Sequence, residues 1–534
     1  MPVEMSPEEL AQVLHAERHM FASPIPTQSV SSDEFMPAPQ SAKQREFEAR
    51  VKAYGDELSK HQGLTRRRFF QTASGMAAAF LAMNDTFGPV FGVSKAEAQT
   101  PEQAAARAKA LSGQFIMDMH THYLHDKTRL VNFVRSREAV GKAGWNPALV
   151  NKPQTIDDLK FANYFKEVFL DSDTKVALIS GSASHEPIDW FLTNEQKRDC
   201  RGRINEMAGG SKRAMAHLIF TPGAPGALER YERELTELKP DSIKGYTIGD
   251  NTNKPMAKWP WRMDDEKLAF PYYERAQKAG IKNVCIHKGL FPPHTERQFP
   301  NLLGYANVAD VGKAAKDFPQ LNFVIYHSAY RFAAGGNPDD AWAQIQRTGR
   351  VDWVSDLADI PSVHGVNNVY ADLGQIFAQS TMANPNLAAF MMGTLIKGLG
   401  ADHVVWGTDA IWTGSPQWQI ESLRRLEIPE DMQKRYGFAP LGVADGPVKA
   451  AIFGSNNARL YNYTPAQKSA LLHDKFAAVK ATYEKEGSRR SNLAYGYIAP
   501  RGLHLGLTRP IGARWYRAPH RRGRAALDPT KESP

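Results

Sequence analysis

The apolar and polar positions of this chain follow a regular alternation from residue 114 onward. Short apolar, β-rich runs alternate with longer stretches such as 264–280 and 307–318, in which apolar residues recur at helical spacing. Apolar strands separated by helices are typical of a parallel sheet that is covered on both faces. Eight such runs occur, at residues 114–120, 175–180, 214–220, 242–248, 283–287, 322–327, 368–374 and 403–409.

Eight strand–helix units predict an α/β fold, a closed (β/α)8 TIM-like barrel, over residues 99–463. An open doubly wound sheet is the alternative, but no glycine-rich phosphate-binding turn follows any of the runs. Residues 445–461 have the pattern of the last barrel helix. Residues 464–488 are predicted to form one further C-terminal helix.

Both ends of the chain differ in composition from this repeating part. Residues 1–64 are polar and have no sustained apolar period, so we expect them to be disordered. Residues 489–534 form a basic tail that we also expect to be disordered, with nine arginines from Arg489 to Arg524. Those arginines account for the whole net charge of +9, so the barrel is close to neutral and is not expected to bind nucleic acid.

Residues 65–98 have the features of an export signal. The segment starts with Thr65–Gln71, which resembles the twin-arginine motif, and an apolar run too short to span a bilayer follows. Ala96-Glu97-Ala98 offers a small-x-small cleavage pattern, which would start the mature chain near Gln99. These features predict the twin-arginine export machinery as a partner and a periplasmic location. The alternative is a cytoplasmic protein in which the basic residues begin a buried helix.

Five chemically active side chains lie at the ends of four predicted strands. His120 and His122 end the first run, and their spacing of two puts both on one face of a strand. Three other runs end in His287, His327 and Asp409. The carboxyl ends of barrel strands meet at one face, so we expect these groups to converge. Imidazoles and a carboxylate suit a divalent ion such as zinc, with one coordination position left for water.

Other candidate site residues lie at positions that indicate a function less clearly. Lys244 lies inside the fourth run, where a carbamylated lysine could bridge two metals, but it stops short of the strand end, so we expect one ion. We expect Arg331, Lys288 and Trp412 to contact the substrate, with solvated charge or packing as the alternative interpretation. Four histidines are assigned to loops as surface or substrate-pocket residues: His125, His185, His294 and His364. The tryptophans Trp259, Trp261 and Trp418 are assigned to strand-end loops, where we expect them to line an aromatic pocket, with packing as the alternative.

Five motifs resemble the amidohydrolase superfamily, and within it the amidohydrolase-2 branch: "DMHTH", "CIHKG", "VIYHSAY", "WGTDAIW" and "AIFGSNNARLY". This branch includes metal-dependent decarboxylases such as aminocarboxymuconate semialdehyde decarboxylase. The resemblance covers residues 114–462 and implies a distorted barrel with one catalytic divalent ion, zinc in the first place or manganese. It implies that the metal ligands are His120, His122, His287 and Asp409, and that His327 is the acid–base residue beside them.

Two reaction classes fit such a site with a small-molecule substrate. The first is hydrolysis, in which metal-activated water attacks an ester, lactone or amide of a small organic acid, aromatic acids included. Asp409 would then accept a proton and His327 would stabilise the developing oxyanion. The alternative is non-oxidative decarboxylation of an aromatic or enol acid, with His327 assisting protonation of carbon. A second alternative is a periplasmic binding protein without catalysis. The oligomeric state stays open, a homo-oligomer included.

Overall fold

Eight parallel strands, each hydrogen-bonded to the next in chain order, form the central sheet of the protein. All described residues of this computed structural model belong to the unit Phe21–Pro500. The described residues are 23–27, 40–130, 133–135, 138, 156, 159–184, 187–250, 257–291, 293–331 and 338–486. The strands are β1 (Met117–Thr121), β2 (Val176–Ile179), β3 (Ala214–Ile219), β4 (Ser242–Tyr246), β5 (Asn283–His287), β6 (Asn322–Tyr326), β7 (Val369–Asp372) and β8 (Val404–Val405).

The sheet closes on itself between its first and last strands. A parallel bridge joins Thr121 to Ala410, and the Asp409 amide donates to the His120 carbonyl at 2.8 Å. Because strand order follows chain order and the ends meet, the predicted (β/α)8 barrel is confirmed.

Helices precede the barrel, follow its strands and continue beyond it. The N-terminal helices are α1 (Ala42–His61), α2 (Arg66–Phe69), α3 (Ala73–Phe87), α4 (Lys95–Gln99) and α5 (Pro101–Leu111). Those between the strands are α6 (Phe161–Phe165), α7 (Asn194–Met207), α8 (Ala227–Leu238), α9 (Phe270–Lys278), α10 (Pro293–Gln298), α11 (Leu303–Ala306), α12 (Val311–Asp317), α13 (Pro338–Thr348), α14 (Val354–His364), α15 (Ile376–Ala383) and α16 (Pro385–Leu399). The last are α17 (Gln417–Arg425), α18 (Glu430–Tyr436), α19 (Pro447–Ala450), α20 (Asn456–Leu460), α21 (Pro465–Ala470) and α22 (Lys475–Lys485).

Alternate residues of the strands enter two separate apolar clusters. Cys285 of β5 and Tyr326 of β6 belong to a cluster that most of the strands share. Val284 and Ile286 belong to the larger cluster that includes the surrounding helices. Side chains two residues apart share a face of a strand, so β5 directs His287 to the same inner side as Cys285.

The five N-terminal helices form a layer that packs against the barrel. Phe47 and Val51, four residues apart on α1, are both buried. The Gln44 side chain donates to the Met382 carbonyl at 2.7 Å. The disorder expected for residues 1–64 is therefore wrong for α1. A narrow apolar stripe is enough to dock a helix whose overall composition is polar.

The apolar run of the export-like segment forms α3, which is buried in this layer. Residues 77–83 of α3 are all buried. Near the expected cleavage site, the buried Arg425 guanidinium donates twice to the Glu97 carboxylate, with Nη1 and Oε2 at 3.0 Å. The side chains of residues 66–68 are exposed. The segment thus has the arrangement of a buried helix with a basic start.

The C-terminal part of the described chain packs on the barrel as two helices where one was expected. Asp474 accepts from the Ala477 amide at the start of α22, and this cap separates α22 from α21. Asp474 also pairs with the buried Arg213 at 2.7 Å. The predicted basic tail, 489–534, lies outside the described residues. None of the helices in the described ranges has the length and apolarity that a bilayer span requires.

Candidate metal centre

The barrel brings the five predicted site residues together at the carboxyl ends of its strands. His120 lies in β1 and His287 ends β5, while His122, His327 and Asp409 follow their strands. All five side chains are buried. The ring centroids of His120 and His327 are 4.9 Å apart, and those of His287 and His327 are 4.6 Å apart.

Three donor atoms within this cluster are spaced like the ligands of one metal ion. His120 Nε2 and His122 Nε2 are 3.1 Å apart, and each lies 3.2 Å from Asp409 Oδ1. A tetrahedral zinc site with bonds of ~2.0–2.1 Å separates its ligand atoms by roughly 3.3 Å. The donor set therefore fits a divalent cation.

Asp372, at the end of β7, fixes the orientation of His120. Its Oδ2 lies 2.8 Å from His120 Nδ1, so Nδ1–H donates to the carboxylate and Nε2 keeps its lone pair for the cluster. Burial raises the pKa of Asp372 to about 7. The carboxylate–histidine pair is typical of metal-ligating histidines.

His327 and His287 form a second pair beside the three donor atoms. His327 Nδ1 donates to the Gly374 carbonyl at 3.0 Å, and His327 Nε2 lies 3.1 Å from His287 Nδ1. A second candidate group of ligand atoms combines His120, His327 and Asp372. The geometry thus joins His287 to His327, whereas His120, His122 and Asp409 form the tighter ligand set. The assignment of His287 as the fourth ligand stays a prediction.

Two of the site residues have strained backbones. His327 has a φ of 59° and Asp409 a φ of 60°, in the left-handed region that non-glycine residues rarely adopt. Such conformations persist only where the surrounding structure imposes them, and they concentrate at functional sites. They turn both side chains toward the cluster after β6 and β8.

Burial and a nearby cation keep the imidazoles neutral. The pKa values of His120 and His122 are well below the usual range, first because of burial and then because of Lys244. Lys244 is fully buried inside β4, with its Nζ 3.2 Å from the centroid of the Tyr326 ring. A neutral imidazole can donate a lone pair to a metal, as a ligand must. Lys244 lies inside the strand, as the expectation of a single ion assumed.

An aromatic wall covers the outer side of His122. The Trp412 ring stacks on the imidazole with centroids 5.5 Å apart, and Phe191 meets it edge-on at 5.5 Å. Phe133 packs against both of these rings. Trp412 is almost fully buried, so it positions His122 and excludes water from that side. Its predicted contact with substrate stays a prediction.

The two cations predicted to hold a substrate carboxylate are engaged within the protein. Lys288 is fully buried, with its Nζ 2.8 Å from both Asp310 Oδ2 and the Tyr305 carbonyl. Arg331 pairs with Glu296 and, at 3.1 Å, with Asp352. These partners neutralise both cations, so the geometry does not support their predicted role.

The histidines and Trp418 that were predicted to lie in loops are not part of the cluster in the described residues. His125 lies in a loop, and its Nδ1 accepts from the Lys127 amide. His364 ends α14, where its ring packs against Gly312. Trp418 is buried in α17 and donates to the Thr413 carbonyl at 3.2 Å, which makes it a packing residue. His185 and the side chain of His294 lie outside the described residues.

Sequence analysis missed Asp372 and the glycines around it. A Cβ at Gly374 would lie 2.2 Å from His120 Nδ1, and one at Gly407 would lie 2.1 Å from Asp372 Oδ1. Only glycine permits such close approach. The signal was present in "YADLG", where an acid and a glycine end the seventh apolar run.

Comparison with known proteins shows the family of this chain. The amidohydrolase family model of the amidohydrolase-2 branch matches residues 117–463, and no curated protein matches the sequence. The 5-carboxyvanillate decarboxylase of Sphingomonas paucimobilis is similar at 16% identity and a TM-score of 0.37, over 66% of this chain and 100% of that one. An uncharacterised TIM-barrel protein of Bordetella bronchiseptica has 13% identity and a TM-score of 0.41, over 66% and 99%. A probable 2-pyrone-4,6-dicarboxylic acid hydrolase of Acinetobacter baumannii has 13% identity and a TM-score of 0.35, over 65% and 99%. Because the family match spans more than half of the chain, the protein belongs to the amidohydrolase family.

Proposed function

We propose that the protein is a metal-dependent hydrolase that cleaves an ester, lactone or amide of a small organic acid. The observation that carries this proposal is the convergence of His120 Nε2, His122 Nε2 and Asp409 Oδ1 at 3.1–3.2 Å in a buried site. These three residues would hold the ion, with His287 as the predicted fourth ligand. When bound, a divalent ion acts as a Lewis acid and lowers the pKa of water.

The side chains around the ligand atoms have separate tasks in this reaction. Asp372 holds the His120 imidazole through Nδ1, so that its Nε2 stays directed at Asp409. His327 keeps its Nδ1 proton on the Gly374 carbonyl. Its Nε2 is therefore the atom that accepts a proton during the reaction, and once protonated it can return that proton to the substrate or stabilise a developing oxyanion. The aromatic wall over His122 keeps bulk water away, which strengthens these electrostatic interactions.

Metal analysis of the purified protein is the first test of the proposal. We expect one divalent ion per chain in the wild type, and loss of most of it in His120→Ala. His125→Ala is the matched control, because His125 is a nearby loop histidine outside the cluster. Equal metal content in both variants would refute the ligand set. Reloading the stripped protein with zinc or manganese and assaying esters and lactones then identifies the active ion.

Decarboxylation of an aromatic or enol acid is the second candidate reaction. The observation that favours it is the aromatic wall of Phe133, Phe191 and Trp412, because an apolar surrounding disfavours a charged carboxylate more than the neutral product. Carbon dioxide release from aromatic acids, measured beside ester and lactone hydrolysis, distinguishes the two reactions. Tight binding of these compounds without either product would instead support a binding protein.

We also propose export through the twin-arginine route. The support is the motif at Thr65–Gln71 and the exposure of residues 66–68. Burial of α3 means that the apolar run must leave the fold before it can act as a leader. Lysine at both Arg66 and Arg67 should keep the protein in the cytoplasm, as measured by cell fractionation. Unchanged periplasmic accumulation of that double variant would contradict export by this route.

A further inference from the structure

Lys244 places a buried positive charge close to the candidate metal centre. Its side chain is fully buried inside β4, and its Nζ lies 3.2 Å from the centroid of the Tyr326 ring. Burial is the first cause of the low pKa of His120 and His327, and the charge of Lys244 is the second. The field of this ammonium therefore reaches the side chains that surround the predicted ion.

The ring of Tyr326 lies between this ammonium and His120. The His120 ring is close to the same tyrosine ring, with the two centroids 3.9 Å apart. An ammonium and an imidazole at these two distances cannot share one face of the ring, because their atoms would overlap. They therefore occupy opposite faces, and the thickness of one ring separates Lys244 from a predicted metal ligand.

Hydrogen bonds at the hydroxyl hold the Tyr326 ring in this place. The hydroxyl donates to the Met119 carbonyl at 2.7 Å, and its oxygen lies 2.6 Å from His217 Nε2. Because the single hydroxyl proton goes to the carbonyl, His217 Nε2–H donates to the tyrosine oxygen. Ser242 Oγ then donates to His217 Nδ1 at 2.7 Å. All of these side chains are buried, so the network fixes the position of the ring.

Without this ring, the Lys244 ammonium could approach the ligand atoms. Neutral imidazole nitrogens and carboxylates accept hydrogen bonds from an ammonium with the same lone pairs that they offer to a metal ion. On an aromatic face, the ammonium is instead stabilised by the ring. We propose that Tyr326 is a positioning residue of the metal centre, whose ring keeps the Lys244 ammonium away from the ligand atoms of His120 and Asp409. The inference rests on the metal site of the proposed function and adds a residue that acts through His120.

The zinc affinity of the full-length protein, measured by chelator competition, tests this proposal. Tyr326→Leu removes the ring and should weaken zinc binding on the order of 10–100-fold, the usual effect of losing a residue that orients a ligand. Tyr326→Phe keeps the ring over the ammonium and should retain most of the affinity. Tyr370→Leu is the matched control, since Tyr370 belongs to the barrel cluster of Tyr326 and stacks on His403 at 4.5 Å. Equal zinc affinities of the two leucine variants would overturn the proposal.

Replacing Lys244 in the Tyr326→Leu protein separates an electrostatic effect from a structural one. Methionine resembles lysine in shape and has no charge, so Lys244→Met removes the competing ammonium and still fills the space. The double variant should regain zinc affinity on the order of tenfold over Tyr326→Leu, the strength of one hydrogen bond to a charged group. A purely structural role of Tyr326 predicts no recovery, and its absence would overturn the proposal.

Lys244→Met alone gives a result that does not depend on the folding of Tyr326→Leu. The ring of Tyr326 is intact in this variant, and a cation near the ion has been removed, so zinc should bind at least as tightly as in the wild type. Weaker zinc binding would mean that Lys244 supports the metal centre, which would overturn the proposal.

The same zinc titrations, combined with turnover assays, separate this inference from the proposed function. If the zinc affinities follow the expected order but no ester or lactone is hydrolysed, the proposed function fails and the role of Tyr326 stands. If hydrolysis proceeds and the double variant shows no recovery, only the role of Tyr326 is overturned. A wild-type protein without zinc affinity would overturn both.

Discussion

At the residue scale, His120 is held from both ends of its ring. Nδ1 donates to Asp372, while Nε2 faces His122 and Asp409. The spacing of His120 and His122 on one strand predicts their common face, since side chains alternate along a strand. Asp372 is 252 residues away from His120. No local spacing rule could pair these two residues. They meet because the barrel closes, which brings the end of β7 close to β1 with β8 between them.

Asp372→Asn should lower metal affinity by roughly 10–100-fold, because the His120 imidazole loses the carboxylate that sets its tautomer and basicity. A chelator competition titration measures this. Asp402→Asn is the control, since Asp402 forms a similar pair with His403 Nδ1 at 3.0 Å, but is 62% exposed and outside the site. Equal metal affinity in both variants would show that Asp372 has no part in metal binding.

His327→Asn should keep nearly full metal and lose a factor on the order of a hundred to ten thousand in kcat, the usual effect of removing a general acid or base. The physical reason is that His327 Nε2 faces His287 and lies outside the tighter ligand set of three atoms. Metal content and turnover are measured on the same preparation. Metal loss equal to that of His120→Ala would make His327 a ligand instead, as the second candidate group of atoms permits.

At the element scale, the apolar runs predict all eight strands because a parallel barrel buries both faces of each strand. The run 403–409 is an instructive case, since only Val404–Val405 forms regular strand. The later residues of this run form only isolated hydrogen bonds with β1. The Met119 amide donates to the Trp406 carbonyl, and the Asp409 amide donates to the His120 carbonyl. The apolar pattern indicates which residues are buried. The length of a strand depends instead on hydrogen-bond partners that the sequence does not specify.

In the N-terminal layer, the apolar pattern alone does not predict the structure of α3. The composition of the run within α3 and its basic start predict an export leader. Yet Phe80 of α3 is fully buried, with its ring 4.8 Å from that of Phe91 and under the guanidinium of Arg425. An apolar run has the same composition in a leader and in a core, so composition could not predict these contacts, and export of the protein stays a prediction.

Phe80→Ala should lower the free energy of unfolding by about 3–5 kcal/mol, the usual cost of an aromatic-to-alanine change in a packed core. Val443→Ala, at a side chain that is 71% exposed, should change it by less than about 0.5 kcal/mol. Urea unfolding of both variants gives the comparison. A Phe80→Ala protein as stable as Val443→Ala would mean that α3 does not stabilise the barrel.

At the scale of the whole molecule, arginines of α17 join the barrel to the N-terminal layer. Arg425 bonds to Glu97 and Glu421, and Arg424 bonds to Glu421 and Asp173. Both guanidiniums are almost fully buried. Burying charge is costly unless it is paired and hydrogen-bonded. This network therefore makes the stability of the whole assembly depend on ionised carboxylates.

The same network predicts how the protein responds to acid. Burial alone would raise the pKa of Glu421, but Arg425, Arg424 and Arg107 outweigh it and lower the pKa from 4.5 to about 2. A carboxyl group whose pKa is lower in the folded than in the unfolded protein stabilises the folded state when the pH is above the unfolded pKa. This stabilisation is lost as the pH falls through the folded pKa. Glu421 should therefore contribute on the order of 3 kcal/mol at neutral pH, lost between pH 4.5 and about 2.

Glu421→Gln should be less stable than wild type at neutral pH, and its stability should fall less steeply between pH 4.5 and about 2. Removing the charge leaves Arg424 and Arg425 buried with fewer partners, which accounts for the first effect. The second follows because the variant has no carboxyl at this position to protonate. Glu430→Gln is the matched control, since Glu430 forms a surface pair with Lys434 and is 85% exposed, a kind of pair that contributes little. Urea unfolding across this pH range measures all three proteins, and parallel curves for Glu421→Gln and wild type would contradict the role of the network in acid stability.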